Sequence, residues 1–348
     1  MPASHVRTDL DAVPAYVPGR AEAGAIKLSS NEVPGGPLPS VLAAITDAAQ
    51  HANRYPDMTS HALVQALAAH LDVPAERLAV GCGSSSLFTQ LVQATCHDGD
   101  EVVFPWRSFE AYPIIVRVVG AAPVPVPLTE DFRHDLDGML AAITDRTRLV
   151  FLCSPNNPTG TVIHTAELHR FLDAVPPHVL VVLDEAYLDF VRDADVADGV
   201  QVATDRPNVV VMRTFSKAFG LAGLRVGYCY ASPEVAAGVR KVAVPFAVSA
   251  IAQVAAIASL EAADELAQRC EQVATERVRV RAALLAAGYS VPPTEANFVW
   301  LPLGEDSTAF AEKCAADGVL VRAFAGEGVR VSIGTPAEND AFLTIACR

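Results

Sequence analysis

Three uninterrupted apolar runs constrain the architecture most: Leu149-Val150-Phe151-Leu152-Cys153, Val179-Leu180-Val181-Val182-Leu183 and Val209-Val210-Val211-Met212. A strand with one wet face alternates apolar and polar residues. A strand that is apolar throughout is buried on both faces, as in a parallel sheet covered by helices. From about residue 31 to 240 such runs alternate with helical patterns, which predicts an α/β fold with a mainly parallel sheet between helices. Residues 1–30, rich in Pro, Ala and Gly, read as an arm. One long amphipathic helix is expected from about Ser249 to Ala287, after Pro245. It leads into a smaller C-terminal α/β unit with strands at Phe298–Leu301 and Val329–Ile333. The expected division is therefore 1–30, 31–240 and 241–348.

The chain has 348 residues, 51% of them hydrophobic, enough to bury a large core in two domains. Its net charge is −14 and no basic cluster occurs, which argues against a nucleic-acid partner. No apolar run has the length of a membrane span. Seven cysteines are scattered without a C-x-x-C, and no signal peptide is evident, so reduced thiols in the cytoplasm are expected. The nine histidines show no metal-ligand spacing.

The segment Arg213-Thr214-Phe215-Ser216-Lys217-Ala218-Phe219-Gly220-Leu221-Ala222-Gly223-Leu224-Arg225 carries the clearest chemistry. Its one lysine lies among small hydroxyl residues, glycines and alanines, with an arginine eight positions on. Thr214 and Ser216 can donate hydrogen bonds to an anion, and Arg225 can add a charge-assisted one. The amine of Lys217 can condense with an aldehyde. A Schiff-base lysine beside a phosphate cradle is what pyridoxal 5'-phosphate requires; the competing reading is a Ser/Gly loop with an incidental lysine.

Three other segments bear on the choice. Asp184 follows a strand, at the end where open α/β sheets bind ligands, and can pair with a protonated pyridine nitrogen. A helix N-cap is the alternative role. Tyr187 can donate to the ring's phenolate oxygen. Asn157, held in the rigid turn Ser154-Pro155-Asn156-Asn157-Pro158-Thr159-Gly160, can reach the same oxygen, and Asn157–Pro158 is a candidate cis bond; an ordinary Asn-Pro turn is the alternative. Finally, Gly81-Cys82-Gly83-Ser84-Ser85-Ser86 joins a short strand to a helix, and free amides at a helix start make an anion site. A dinucleotide site is a poor match, because Asp100 and Glu101 precede their strand instead of following it.

In this order, together with Ser29-Ser30-Asn31-Glu32, Asn53-Arg54-Tyr55-Pro56-Asp57 and Gly328-Val329-Arg330-Val331-Ser332-Ile333-Gly334, these motifs resemble the fold-type I pyridoxal-phosphate aminotransferases. The resemblance covers the chain from about residue 10 onward. It is nearest the histidinol-phosphate aminotransferase branch and, within it, the actinobacterial aromatic amino acid aminotransferases, through Trp106–Tyr112, Val244-Pro245-Phe246 and Glu295–Gly304. Two positions depart from the family pattern: Val33 within Asn31-Glu32-Val33-Pro34, and Ser85 where an acidic residue is usual.

The resemblance implies a large domain with a seven-stranded-type sheet and a small C-terminal domain, joined in a homodimer with shared active sites. It implies that Lys217 is the Schiff base and proton shuttle, that Asp184 holds the pyridine nitrogen, and that Asn157 and Tyr187 hold the ring oxygen. Gly83, Ser84, Ser85, Thr214, Ser216 and Arg225 would form the phosphate site, with Phe109 stacked on the ring. Arg330, Asn31 and Arg322 would bind substrate, and Arg330 would grip its carboxylate. Tyr55 would reach the partner subunit's cofactor, and Tyr16 would close over the side-chain pocket across the dimer. The implied reaction is ping-pong transamination between an aromatic amino acid and a 2-oxo acid, with histidinol phosphate as the rival substrate.

Overall fold

A computed structural model describes residues 5–348. The apolar runs form the middle of a seven-stranded sheet. In spatial order its strands are Leu78–Gly81, Gly227–Tyr230, Val209–Thr214, Leu180–Asp184, Thr147–Cys153, Glu101–Trp106 and Ala122–Pro127. Only Gly227–Tyr230 runs against its neighbours; the rest share one direction. Alternate residues enter two separate cores. Val150, Leu152, Val181, Leu183, Val209 and Val211 pack on one side, and Leu149, Phe151, Cys153, Val182, Val210 and Met212 on the other. This is why the runs carry no polar alternation: each fully buried side chain contributes about 1.5–3 kcal/mol, and a polar residue at any of these positions would face one core or the other.

The antiparallel strand begins at a glycine for a steric reason. A Cβ on Gly227 would lie 2.7 Å from the Ser84 amide nitrogen and 2.9 Å from the Arg213 carbonyl oxygen. The strand can thus lie against the start of the helix Ser84–Thr95 only without a side chain there.

A second sheet is antiparallel throughout, in the order Arg322–Phe324, Gly328–Ser332, Phe298–Leu301. Its register sets Arg322 directly opposite Arg330. The N-terminal segment joins this part of the molecule through a parallel pairing of Ile26–Lys27 with Val319–Leu320.

The single long helix expected from Ser249 to Ala287 is two helices, Ala250–Glu261 and Ala263–Ala286. Ala262 breaks them with φ −90° and ψ 37°. Ser249 caps the first by accepting from the Ala252 amide. Asp264 and Glu265 occupy the first turn of the second, where acidic residues suit the positive end of the helix dipole. The alanine-rich periodicity runs through the break and hides this start signal.

Candidate active site

The parallel register puts Cys153, Asp184 and Met212 level with one another at the carboxyl ends of their strands. Beyond those ends opens a cavity of about 400 Å³. Asp184, Thr214, Ser216 and Lys217 reach it from consecutive strand ends, and Ser84 and Ser85 from the neighbouring helix start.

One end of the cavity is a cup of hydroxyls and amides. Gly83 precedes the helix Ser84–Thr95 with φ 76°, a conformation that favours glycine. A Cβ there would lie 2.5 Å from Nη2 of Arg225, so glycine is also what lets the guanidinium approach. Arg225 donates to Ser85 Oγ at 3.3 Å and to Ser216 Oγ at 3.4 Å. The Thr214 hydroxyl donates to Ser216 Oγ at 3.0 Å, and the Ser216 amide returns a bond to Thr214 Oγ1 at 3.1 Å. The first-turn amides of Ser84 and Ser85 have no intrahelical acceptor, because no residue lies a full turn before them. Positive charge, hydroxyls and amides thus converge as an anion needs.

In the middle lie the amine and the carboxylate. Lys217 is partly buried, with Nζ 3.5 Å from the Ser30 carbonyl oxygen. Burial pulls its pKa down to about 8, and the like charges of Arg330 and Arg225 act in the same direction. Asp184 is buried. Its Oδ2 accepts from the Tyr112 hydroxyl at 2.6 Å and its Oδ1 from the Ala186 amide at 3.3 Å. Burial pushes this carboxyl up to about 6, against the opposing pull of those two donors and of Lys217. Tyr187 is also buried, which raises its phenol above the usual range. Its oxygen accepts from Asn31 Nδ2 at 2.9 Å, so its own proton is not used in that bond. Asn31 is fixed in turn by its amide donating to Ser332 Oγ at 2.8 Å.

At the outer end Arg330 is buried. It donates to Asn157 Oδ1 at 2.5 Å and to the Ser29 carbonyl at 2.8 Å. Its Nε has no hydrogen-bond partner among the described residues. Asn157 sits in a turn whose Ser154–Pro155 and Asn157–Pro158 bonds are both cis. Phe109 lines the cavity and meets Tyr112 edge-on, ring centres 5.4 Å apart. Arg322 also lines it, but its guanidinium is already engaged. It donates to both oxygens of Glu110, each at 3.0 Å, and to the carbonyls of Val17 and Pro18 at 2.9 and 3.1 Å.

Tyr16 and Tyr55 take different positions relative to this cavity. Tyr16 lines the cavity of its own chain. The reason is Arg322, whose bonds to Val17 and Pro18 hold the arm against the strand that carries it. Tyr55 does not join this cavity. It is 83% exposed and stacks near Phe246, ring centres 4.8 Å apart.

Three residues at the site were not singled out from the sequence. Tyr112 stood in a quoted motif, but its bond to Asp184 spans 72 positions. Asn156 ties the Phe109 turn to the Asn157 turn: its Oδ1 accepts from Ser108 Oγ at 2.7 Å and its Nδ2 donates to the Arg107 carbonyl at 3.2 Å. Glu110 is legible only once the Arg322 strand is placed beside it.

The aminotransferase class I and II family model matches residues 23–345. The chain belongs to this family. A relative from Rhodococcus jostii (strain RHA1), named aromatic amino acid aminotransferase, is 62% identical over 98% of this chain and 94% of its own length. A relative of the same name from Thermobifida fusca (strain YX) is 58% identical over 98% and 96%. Among solved structures, histidinol-phosphate aminotransferase from Sinorhizobium meliloti in complex with pyridoxal-5'-phosphate superposes with a TM-score of 0.90 at 32% identity, covering 99% of this chain and 97% of that one. The same family likeness accounts for the seven-stranded, mainly parallel sheet of this aminotransferase. Among the described residues no helix is long and apolar enough to cross a membrane.

Proposed function

We propose that this aminotransferase uses pyridoxal 5'-phosphate to move an amino group between an aromatic amino acid, phenylalanine or tyrosine, and a 2-oxo acid. One observation carries the cofactor part: a lysine of lowered pKa, a buried carboxylate and an anion cup open into the same cavity. These residues fit the group. Arg225, Ser216, Thr214 and the Ser84–Ser85 helix start suit a phosphate, and Gly83 leaves room that a Cβ would fill. Bound pyridoxal phosphate supplies an aldehyde that condenses with amines and a ring that withdraws electrons. Asp184 would hold the proton of the pyridine nitrogen, and Tyr112 would fix the orientation of that carboxylate. Tyr187 and Asn157 would hold the ring oxygen, and Phe109 would cover the ring face.

Lys217 Nζ would hold the aldehyde at rest and then, once released as a neutral amine, take the Cα proton of the substrate and return it one position away. Its lowered pKa favours that neutral form. Arg330 would grip the substrate carboxylate with its free donors, and burial strengthens that pair. The aromatic preference is supported by the relatives' shared name at 58–62% identity and by the Tyr16 ring, which lines the same cavity. Tyr55, exposed beside Phe246, supports a homodimer in which it reaches the partner subunit's cofactor. The same reading divides the chain into an arm, residues 1–30, a cofactor-holding part, 31–240, and a smaller part, 241–348, in a cytoplasmic enzyme.

A second reading, histidinol-phosphate transamination, is favoured by the Sinorhizobium structure, at about half the identity of the aromatic relatives. The deciding experiment compares kcat/KM for phenylalanine and for histidinol phosphate on one preparation. Phenylalanine should lead by at least roughly tenfold, about 1.4 kcal/mol of transition-state preference. The opposite ranking would move the chain to the second reading.

A further inference from the structure

Arg322 and Arg330 face each other in register, line the same end of the cavity, and yet present different charge. Among the described residues Arg330 donates only to neutral oxygens, those of Asn157 and Ser29, and its Nε has no hydrogen-bond partner. Arg322 is held by both oxygens of Glu110, and the pair is largely shielded, with side-chain exposures of 14% and 27%. Arg107, which like Arg322 lies near the Phe324 ring, is no freer. It is paired with Glu327 and lies over the Trp106 ring at 4.3 Å. Among the described residues the outer end therefore offers one guanidinium free of a carboxylate partner to a substrate anion, and beside it a carboxylate, Glu110, that itself lines the cavity.

An amino acid with an uncharged side chain matches that arrangement, since its single carboxylate satisfies Arg330. A substrate that carries a dianionic phosphate in place of that carboxylate does not. It would meet the Glu110 carboxylate as a like charge, and Arg322 could serve it only by giving up an ion pair in partly dry surroundings. Selectivity of this kind is made by repulsion from the wrong ligand as much as by attraction to the right one.

We propose that Glu110 is a specificity-determining residue: by neutralising Arg322 at the outer end of the cavity, it leaves Arg330 to meet the substrate anion without a second free guanidinium, which suits a single carboxylate and excludes a dianionic phosphate. This rests on the aminotransferase reading above. A purely structural role, in which Glu110 only fastens its turn to the second sheet, predicts equal losses for every substrate.

The test uses the holoenzyme with one 2-oxo acid acceptor and measures kcat/KM for L-phenylalanine and for L-histidinol phosphate. In Glu110→Gln the phenylalanine-to-histidinol-phosphate ratio should fall by about tenfold or more, through a lower KM for the phosphate substrate. Glu110→Asp, which keeps the charge, should restore the ratio to within about threefold of the unmodified enzyme, and Glu110→Gln combined with Arg322→Met should lose the gain. Arg322→Met alone, which leaves Glu110 unneutralised, should sharpen the discrimination, and it serves if Glu110→Gln does not fold. A ratio unchanged in Glu110→Gln, equal losses for both substrates, or weaker discrimination in Arg322→Met would overturn the proposal. A preference of the unmodified enzyme for histidinol phosphate is read before any variant is made, and it would overturn the aromatic reading instead.

Discussion

The two ends of the cavity are assembled on different scales of the chain. At the cup end the Thr214–Ser216 and Arg225–Ser216 bonds join residues two and nine apart, and only the Arg225–Ser85 bond spans a long separation. At the outer end Arg330 reaches Asn157 across 173 positions and Ser29 across 301, and Arg322 reaches Glu110 across 212. Thr214, Ser216 and Arg225 are set by one short segment, and the Arg225–Ser85 bond joins that segment to the helix start at Gly83. The outer end depends on how the second sheet and the arm settle against the first. The difference teaches that, on the proposed reading, cofactor holding and substrate choice are separable, and lesions at the two ends should differ in kind.

The largest effect is expected at Lys217, where the ends meet. Lys217→Ala leaves the cup untouched, so the protein should still retain cofactor through gel filtration, while turnover falls by roughly four or more powers of ten. Loss of cofactor along with the lysine would mean that the cup does not hold the phosphate by itself.

Next comes Asp184→Asn, which removes the carboxylate charge from the buried strand end. The half-reaction with phenylalanine should slow by about 10²–10³ in single-turnover measurements. Near-normal rates there would remove Asp184 from the chemistry.

Arg330→Met is the corresponding lesion at the outer end. kcat/KM for phenylalanine should fall by about 10²-fold with cofactor content unchanged, and stability should drop by about 1–3 kcal/mol because Asn157 Oδ1 and the Ser29 carbonyl lose a buried donor. If this variant lost cofactor instead, the separation of the two ends would fail.

The smallest effect is one of pH. Burial pulls the Lys217 amine down from an ordinary 10.5 to about 8. Only the neutral amine attacks an aldehyde, so cofactor attachment to the apoprotein should quicken with rising pH and level off above about 8. Between about 8 and 10.5 the unfolded lysine binds a proton that the folded one has lost. Apoprotein stability should therefore rise with pH across that window and be lower below it. Arg330→Met removes a neighbouring like charge and should move the midpoint upward. A midpoint near 10.5 in the unmodified chain would show that burial does not act on this amine.

The same contrast explains what could be read from the sequence. The sheet was legible because strands buried on both faces leave an unbroken apolar signature, seen in Val181-Val182-Leu183 facing two cores at once. The cup was legible because Gly83 and the serines after it declare a helix start. The break at Ala262 was not legible, because alanine fits a helix and its interruption equally well to a periodicity count. Tyr112 beneath Asp184, Asn156 between two turns and Glu110 against Arg322 were not legible either, because each role is created by a partner far away in the chain. The placement of Tyr16 on its own chain's cavity likewise depends on Arg322 holding Val17 and Pro18, a contact that no local pattern announces.

The central claim is that this cavity carries out the first half of a transamination on an aromatic amino acid, with Lys217 as the proton carrier. The most direct measurement mixes cofactor-loaded enzyme with phenylalanine and no 2-oxo acid, and follows phenylpyruvate and the amino form of the cofactor together. The account predicts about one equivalent of each per site, formed at the same rate, and then no further product until a 2-oxo acid is added. Phenylalanine left unconverted, or phenylpyruvate formed continuously without an acceptor, would contradict it.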